Sequence, residues 1–297
     1  MSDKSVGKIS QTAANMALIR ALETAKPKRQ RLFADPFARR FLPGWQRALM
    51  IPARLPIWRR VVERMFDSQA PGARTSGAAR TRLIDDWARE AVQNSTVQIV
   101  IMGSGFDCRA LRLSELGVDS VFELDRREML DLKSHLLAGM HAPHIRAVPI
   151  DFLIDSPEDR LIASGYSPTA KTLFVWEGVT NYLDAAAIDA GFNFFARSTP
   201  GSRVIFTYVH ADAIDGSFQA PGLARLLEHL HEIGEAWTFG FKPQDVQDYI
   251  GKKGLRLITD LGAADYRALY WPRSAGKEGY EFYRVALAEK TGRRTNR

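Results

Sequence analysis

Two glycines and two acids at fixed spacing are the first residues in this chain whose types and positions could do chemistry. Gly103-Ser104-Gly105 follows an apolar run rich in β-branched residues, Val97, Ile99, Val100 and Ile101. A second apolar run, Val118 to Leu124, ends among acids. The order reads as strand, glycine turn, helical or loop segment, second strand, acid. Glycines without a Cβ let a ligand approach the backbone closely where the chain leaves the first strand. An acid about 20 positions on can hold a ribose hydroxyl pair, as in nucleotide-binding βαβ units. Asp125 stands at that offset from Gly105, with Glu123 two residues before it on the same strand face. The expected chemistry is binding of a nucleotide-like cofactor. A dinucleotide fingerprint asks for a third glycine three residues after the second. Cys108 occupies that position between Asp107 and Arg109, which weakens the dinucleotide reading.

The elements that must position these residues alternate between strand and helix from Val97 onward. Strands are expected at 97–102, 118–124, 145–149, 172–177, 202–209, 255–261 and 281–288, and helices at about 127–139, 158–164, 184–197 and 243–251. That rhythm implies an α/β fold with a mainly parallel sheet covered on both faces. The last two strands, with no obvious helix across 266–279, are expected to pair antiparallel at one end of the sheet. Segment 210–242 is too long for a simple connection and carries its own helix, Gly222 to Ile233; insertions of that length often cover a site.

Ahead of the sheet, residues 10–25 place Ala14, Leu18, Ala21 and Leu22 at helical spacing, with Ser10 or Thr12 as cap and Lys26-Pro27 as stop. Short helical pieces broken by Pro43, Pro52 and Pro56 reach Phe66, and Pro71-Gly72 and Ser76-Gly77 then precede a helix over Ala78 to Val92. The expected organisation is a helical lid or substrate cap over 1–92 and a sheet domain over 93–297, with the helical insertion at about 210–242.

The 45% apolar and 25% charged content of the 297 residues is that of an ordinary soluble globular protein. No run approaches the roughly 18 apolar residues of a membrane span, and the first ten residues lack the apolar core of a secretory signal. No membrane partner is expected, and a cytoplasmic location is the default. A single cysteine, Cys108, excludes an intrachain disulfide and any cysteine-cluster metal site. His135, His141 and His144 have no nearby cysteine or ordered acid set, so no metal is expected. The net charge of +7 is unevenly placed: Lys26 to Arg60 carries +9, leaving −2 for the rest. Such a segment could meet nucleic acid, an acidic protein or an anionic small substrate, or form a solvated helical face.

Gly103-Ser104-Gly105-Phe106-Asp107-Cys108-Arg109-Ala110-Leu111-Arg112-Leu113 resembles the glycine motif of the leucine carboxyl methyltransferase-like family of S-adenosylmethionine-dependent methyltransferases. Four further stations are similar and arrive in family order: Ser10-x-Thr12-Ala13, Arg80-Thr81-Arg82, Phe122-Glu123-Leu124-Asp125, and Trp176 to Leu183. The late runs Trp237 to Phe241 and Leu261 to Arg267 look like the bacterial branch. The match spans nearly the whole chain. Cys108 departs from the commoner threonine, and Asn181 from an apolar residue.

The resemblance implies a Rossmann-like class I methyltransferase fold with S-adenosyl-L-methionine as cofactor. It implies that Arg80 pairs with the cofactor's carboxylate, a task suited to the planar, permanently charged guanidinium, with Arg82 as second choice. Gly103 and Gly105 would admit the amino acid and ribose portions, and Asp125 would accept from the ribose hydroxyls. Asp151-Phe152 would serve the adenine. Glu177, ending the fourth strand, would face the cofactor's amino end and the methyl-transfer site.

The implied reaction is O-methylation of a carboxyl or hydroxyl group on a small acceptor, polyketide-type molecules among them. The basic lid hints at an anionic acceptor or one delivered by an acidic carrier protein. Methyl transfer from a sulfonium is an in-line displacement, so catalysis is largely positioning. A carboxylate acceptor, with a pKa of about 4, needs no base; a phenol or alcohol, at about 10 or above, does. His210, directly after the fifth strand, and Tyr208 are the candidate bases by position. Two other classes stay open: a nicotinamide-dependent oxidoreductase using the glycine turn, and an RNA-binding or RNA-modifying protein using segment 26–60. The arginines of that segment lie among prolines and aromatics, which disfavours nucleic acid.

Overall fold

The computed structural model describes residues 10–138, 140, 142–152, 154–272 and 279–292. Residues 1–9, over which no secretory signal is read, lie outside the described residues. So do residue 139 of the helix expected over 127–139, His141, and residues 273–278 of the segment expected to be irregular from Tyr266 to Gly279.

Seven strands form one sheet: β1 (Gln98–Met102), β2 (Ser120–Asp125), β3 (Ile145–Pro149), β4 (Thr172–Trp176), β5 (Arg203–Val209), β6 (Leu255–Gly262) and β7 (Tyr283–Lys290). Their order is β3-β2-β1-β4-β5-β7-β6. β1 to β5 pair parallel, and β7 runs antiparallel between β5 and β6. The sheet is the Rossmann-like arrangement expected, with its antiparallel pair at one edge. The helices are α1 (Gln11–Ala25), α2 (Gly44–Leu49), α3 (Pro56–Gln69), α4 (Ala73–Gln93), α5 (Arg109–Arg112), α6 (Arg127–Leu136), α7 (Pro157–Ala163), α8 (Ala185–Ala196), α9 (Ala211–Ile214), α10 (Leu223–Ile233), α11 (Pro243–Gly251) and α12 (Ala263–Tyr270).

The central strands QIVIM and TLFVW are buried along their whole length, which is why they read as continuous apolar runs. Successive residues point to opposite faces. Val100, Met102, Phe174, Trp176 and Phe206 meet Phe192 and Phe195 of α8 on one face. Ile99, Ile101, Leu173, Val175 and Ile205 meet Leu83, Ile84 and Ala88 of α4 on the other. Helix α4 therefore forms a layer of the sheet domain while its first half also touches α1.

Two expectations need correction. Ser76-Gly77 does not interrupt the chain: both lie inside α4, and a Cβ on Gly77 would stand 3.0 Å from Ile19 Cδ1. The glycine is there for close helix packing, and the turn is made by Gly72 at φ 78°. A helix, α12, also occupies ground expected to have none. It is short, and its Tyr266 hydroxyl meets Ser76 Oγ of α4 at 2.5 Å in the buried layer. Tertiary packing fixes what an eight-residue pattern could not signal.

Gly191 of α8 lies under the Trp176 indole, and a Cβ there would come within 2.6 Å of Trp176 Cη2. Gly191→Ala gains helix propensity of about 1 kcal/mol but overpacks the site, which typically costs about 1–3 kcal/mol. A lowered urea midpoint is expected; a raised one would show that the indole layer yields freely.

Candidate cofactor and acceptor site

β1 sits between β2 and β4, so the crossovers leave it in opposite directions and open a crevice at the strands' carboxyl ends. The glycine turn fills that crevice. Gly103 has φ 67° and Gly105 φ 42°, and a Cβ on Gly103 would collide with Val179 Cγ2 at 2.3 Å. The Gly105 N–H donates to Asp125 Oδ2 at 2.7 Å, and the Arg126 N–H to Oδ1 at 2.8 Å. Asp125 thus ties the turn to the end of β2. Burial pushes its carboxyl up, and the two N–H groups pull it only partly back. Between the glycines, the buried Ser104 Oγ has no hydrogen-bond partner.

Glu177 follows β4 and accepts from Arg80 Nε of α4 at 2.8 Å and from Arg109 Nη2 at 3.0 Å. The Arg80 guanidinium lies over the Tyr283 ring, 4.5 Å from its centroid. Arg109 also donates to Asp85 at 2.9 Å and pairs with Asp107. Arg112 pairs with the same Asp85 and approaches Asp35 at 3.7 Å. Asp35 in turn takes Arg20 Nε of α1 at 2.8 Å, and Arg20 Nη2 donates to the Phe106 carbonyl at 2.6 Å. Four arginines and four carboxylates therefore run from the lid to the strand ends with balanced charge. Burial alone would raise the Glu177 and Asp85 carboxyls, but their arginines hold both below the usual carboxylate range.

The other expected residues separate clearly. Asp151 and Phe152 lie on the turn after β3, Asp151 exposed and Phe152 packed against the core beside that strand. Arg82 points away from Glu177: it binds Asp86 at 2.8 Å and the Leu32 carbonyl at 2.6 Å. Glu123 pairs with the buried Lys133 at 2.8 Å. Tyr208 lies in the layer packed on α8, its hydroxyl donating to Asp260 at 2.5 Å and accepting from Arg284 at 3.0 Å. The structure thus sets it apart from the Glu177 cluster. His210 Nδ1 caps α9 by accepting from the Asp212 N–H at 3.3 Å. Arg109, Asp107 and Asp85 went unassigned in the sequence, although Asp107 and Arg109 stand inside the glycine motif. Their signal was a charge pair in a segment that had to be buried.

The donor set fits an adenosyl amino acid. Between two positive-φ glycines a buried hydroxyl lacks a partner, and beside the turn a guanidinium and a carboxylate, Arg80 and Glu177, lie together as a zwitterion's two ends would require.

Removing one member of a buried ion network typically costs about 3–5 kcal/mol. Asp85→Asn leaves Arg109 and Arg112 underpaired, and a loss of that size in denaturant unfolding is expected. Because the folded Asp85 and Glu177 carboxyls titrate lower than in the unfolded chain, their contribution is present above pH about 4 and lost as pH falls through the folded values. The acid loss should be shallower in Asp85→Asn; an unchanged acid limb and unchanged stability would contradict the network's role.

A profile of the family described as leucine carboxyl methyltransferase matches residues 13–196, more than half of the chain. A candidate S-adenosyl-L-methionine-dependent methyltransferase of Streptomyces coelicolor is 33% identical over 67% of this chain and 66% of its own length. Another from Mycobacterium marinum is 32% identical over 83% of this chain and 82% of its own. The crystal structure of a candidate methyltransferase from Thermobifida fusca covers 92% of this chain and 94% of its own, with a TM-score of 0.57 at 16% identity, and shares the fold. This membership replaces the oxidoreductase alternative. With its sheet order, glycine turn and strand-end acids, the chain belongs to the leucine carboxyl methyltransferase family of S-adenosylmethionine-dependent methyltransferases.

Proposed function

We propose that this methyltransferase methylates a carboxylate oxygen on a small acceptor with an apolar body. When bound, S-adenosylmethionine supplies an electrophilic methyl group on a sulfonium. Arg80 holds the cofactor's carboxylate and Glu177 its ammonium, with Arg109 keeping Glu177 ionised. Asp125 takes the ribose hydroxyls; a carboxylate has about four lone-pair sites, so the N–H bonds it already accepts leave capacity. Gly103 and Gly105 let the backbone come close. Asp151 and Phe152 serve the adenine, the first by its carboxylate and the second by its ring.

The acceptor side is aromatic. Tyr182, Phe218, Trp237, Tyr280, Phe282 and Tyr283 cluster between β5, β7 and the α10 insertion. Glu235, after α10, accepts from the Gln11 N–H at 3.1 Å and the Thr12 N–H at 3.3 Å, pinning the start of α1 to the insertion. The start of α1 and the insertion so flank this aromatic cluster. What supports the carboxylate reading is that the groups at this cluster able to take a proton are already engaged: Glu235 accepts from the Gln11 and Thr12 N–H groups, and His210, whose ring stands 5.3 Å from Phe218, uses Nδ1 as a helix cap. Burial holds the Tyr182, Tyr280 and Tyr283 hydroxyls protonated, above their ordinary range. The Trp237 N–H approaches the Tyr182 hydroxyl but falls short of hydrogen-bond geometry. Tyr208 is turned to the other layer, and His210 spends Nδ1 on a helix cap. Donors beside engaged bases suit an acceptor that arrives already ionised. A hydroxyl acceptor would need His210, already beside Phe218, to give up its helix cap, or Tyr208 to turn from the other layer.

Two measurements follow. Methyl transfer to a carboxylic acid should be flat in rate from pH about 6 to 9, because the acceptor is ionised throughout; a tenfold rise per pH unit would mark a hydroxyl acceptor and overturn the reading. Asp125→Ala should weaken S-adenosylhomocysteine binding by about 1–3 kcal/mol in titration calorimetry, the scale of a lost buried hydrogen-bond partner. An unchanged dissociation constant would remove Asp125 from the site.

A further inference from the structure

The lid carries an apolar surface that nothing among the described residues covers. Ile57 is 79% exposed, Ile51 70% and Trp45 66%, and Trp58, Val61 and Met65 are exposed beside them. On α3, at roughly 100° per residue, Ile57, Val61, Met65 and Trp58 fall within an arc of about 100°. Arg60 and Arg64, both exposed, border that arc on one side. The opposite side is anchored by the buried Arg59 and Val62. The Trp58 indole N–H donates to the Leu49 carbonyl at 2.9 Å, so its ring is held at the junction of α2 and α3.

Charge points the same way. Between Lys26 and Phe66 the only acids are Asp35 and Glu63. Asp35 is buried with Arg20, and Glu63 is half-buried near Arg59 and Arg74. An open groove on the same lid is lined by Arg39, Arg40, Arg47 and His135. The next acid along α3, Asp67, is partly exposed and paired with Arg74 at 2.7 Å. Tryptophans and aliphatic side chains bordered by cations, with each acid of the segment held by an arginine, match the boundary between acyl chains and anionic headgroups. A single-stranded nucleic acid would stack on the aromatics but leave Ile51, Ile57, Val61 and Met65 unused. A second copy of this chain would set Arg60 and Arg64 against like charges.

We propose that the lid docks this protein peripherally on an anionic lipid surface, with α2 and α3 lying in the interface plane. Among the described residues no helix is long and apolar enough to cross a membrane. The sequence expectation of no membrane partner rested on that lack of a span, which does not bear on attachment to a surface. The inference is independent of the acceptor and of the cofactor site.

The test is co-sedimentation of the full chain with vesicles of phosphatidylglycerol and phosphatidylcholine in equal parts, against phosphatidylcholine alone. Binding to the anionic vesicles that weakens with salt is expected, with a blue shift of tryptophan emission. The double variant Ile57→Glu, Val61→Glu should stay in the supernatant while binding S-adenosylhomocysteine like the wild type. Neutralising Arg60 and Arg64 to Gln should weaken binding by roughly fivefold per arginine. The proposal is overturned if the wild type ignores anionic vesicles, or if the Glu variant binds them equally. It is overturned too if the wild type is a dimer that the Glu variant dissolves, which would assign the patch to a second copy. Retention by an acidic carrier protein instead of vesicles would likewise defeat it.

Discussion

A carboxylate largely withdrawn from water must find cations, and Glu177, half-buried, finds two. Arg80 reaches it from the helix that covers one face of the sheet, and Arg109 from the short helix after the glycine turn. Placing Glu177 at the end of β4, where the apolar run stops, obliges both segments to come to that strand end. Asp85 repeats the arrangement one step further from the crevice, between Arg109 and Arg112, and Asp35 repeats it again beneath α1. Each charge is tolerable only because its neighbour is present. The fold around the site is therefore specified by electrostatics as much as by packing, and α1 is fastened to the sheet by ions.

That chain of charges gives the cofactor reading its physical content. Glu177 stays ionised because of Arg109 even if Arg80 turns to another anion. A zwitterionic ligand can then exchange its own two charges for part of the Arg80–Glu177 contact without leaving a buried charge alone. Asp125 is prepared differently. Its carboxyl is pushed up by burial and held by two N–H groups, so added hydroxyl donors relieve a cost already present.

The sheet was legible in the sequence because its central strands are buried on both faces and its strands are bounded by glycines, acids or prolines. All seven expected strands appear, with ends shifted by at most two residues. Arg80, Gly103, Gly105, Asp125 and Glu177 stand at one end of that sheet, as their spacing along successive strand ends required. What was not legible depended on contacts between distant segments. Gly77 reads as a breaker and serves helix packing against Ile19; α12 is fixed by Tyr266 on Ser76. Tyr208 and His210 were chosen by position after β5, but strand alternation sends Tyr208 to the opposite layer. Arg109 and Arg112 stood inside the glycine motif, but nothing in the sequence paired them with Asp85, which read as an ordinary helical surface residue. Only the closing of α4 over the strand ends makes them partners.

The central claim is that Arg80 and Glu177 together hold the amino acid end of the cofactor. The most direct measurement compares how S-adenosylhomocysteine and methylthioadenosine bind the wild type and Arg80→Gln, since the second ligand lacks the zwitterion. Hydrogen bonds to charged groups are worth about 1.5–3 kcal/mol, so the variant should bind S-adenosylhomocysteine roughly tenfold to a hundredfold more weakly while methylthioadenosine binding stays the same. Equal weakening of both ligands, or of neither, would contradict the account.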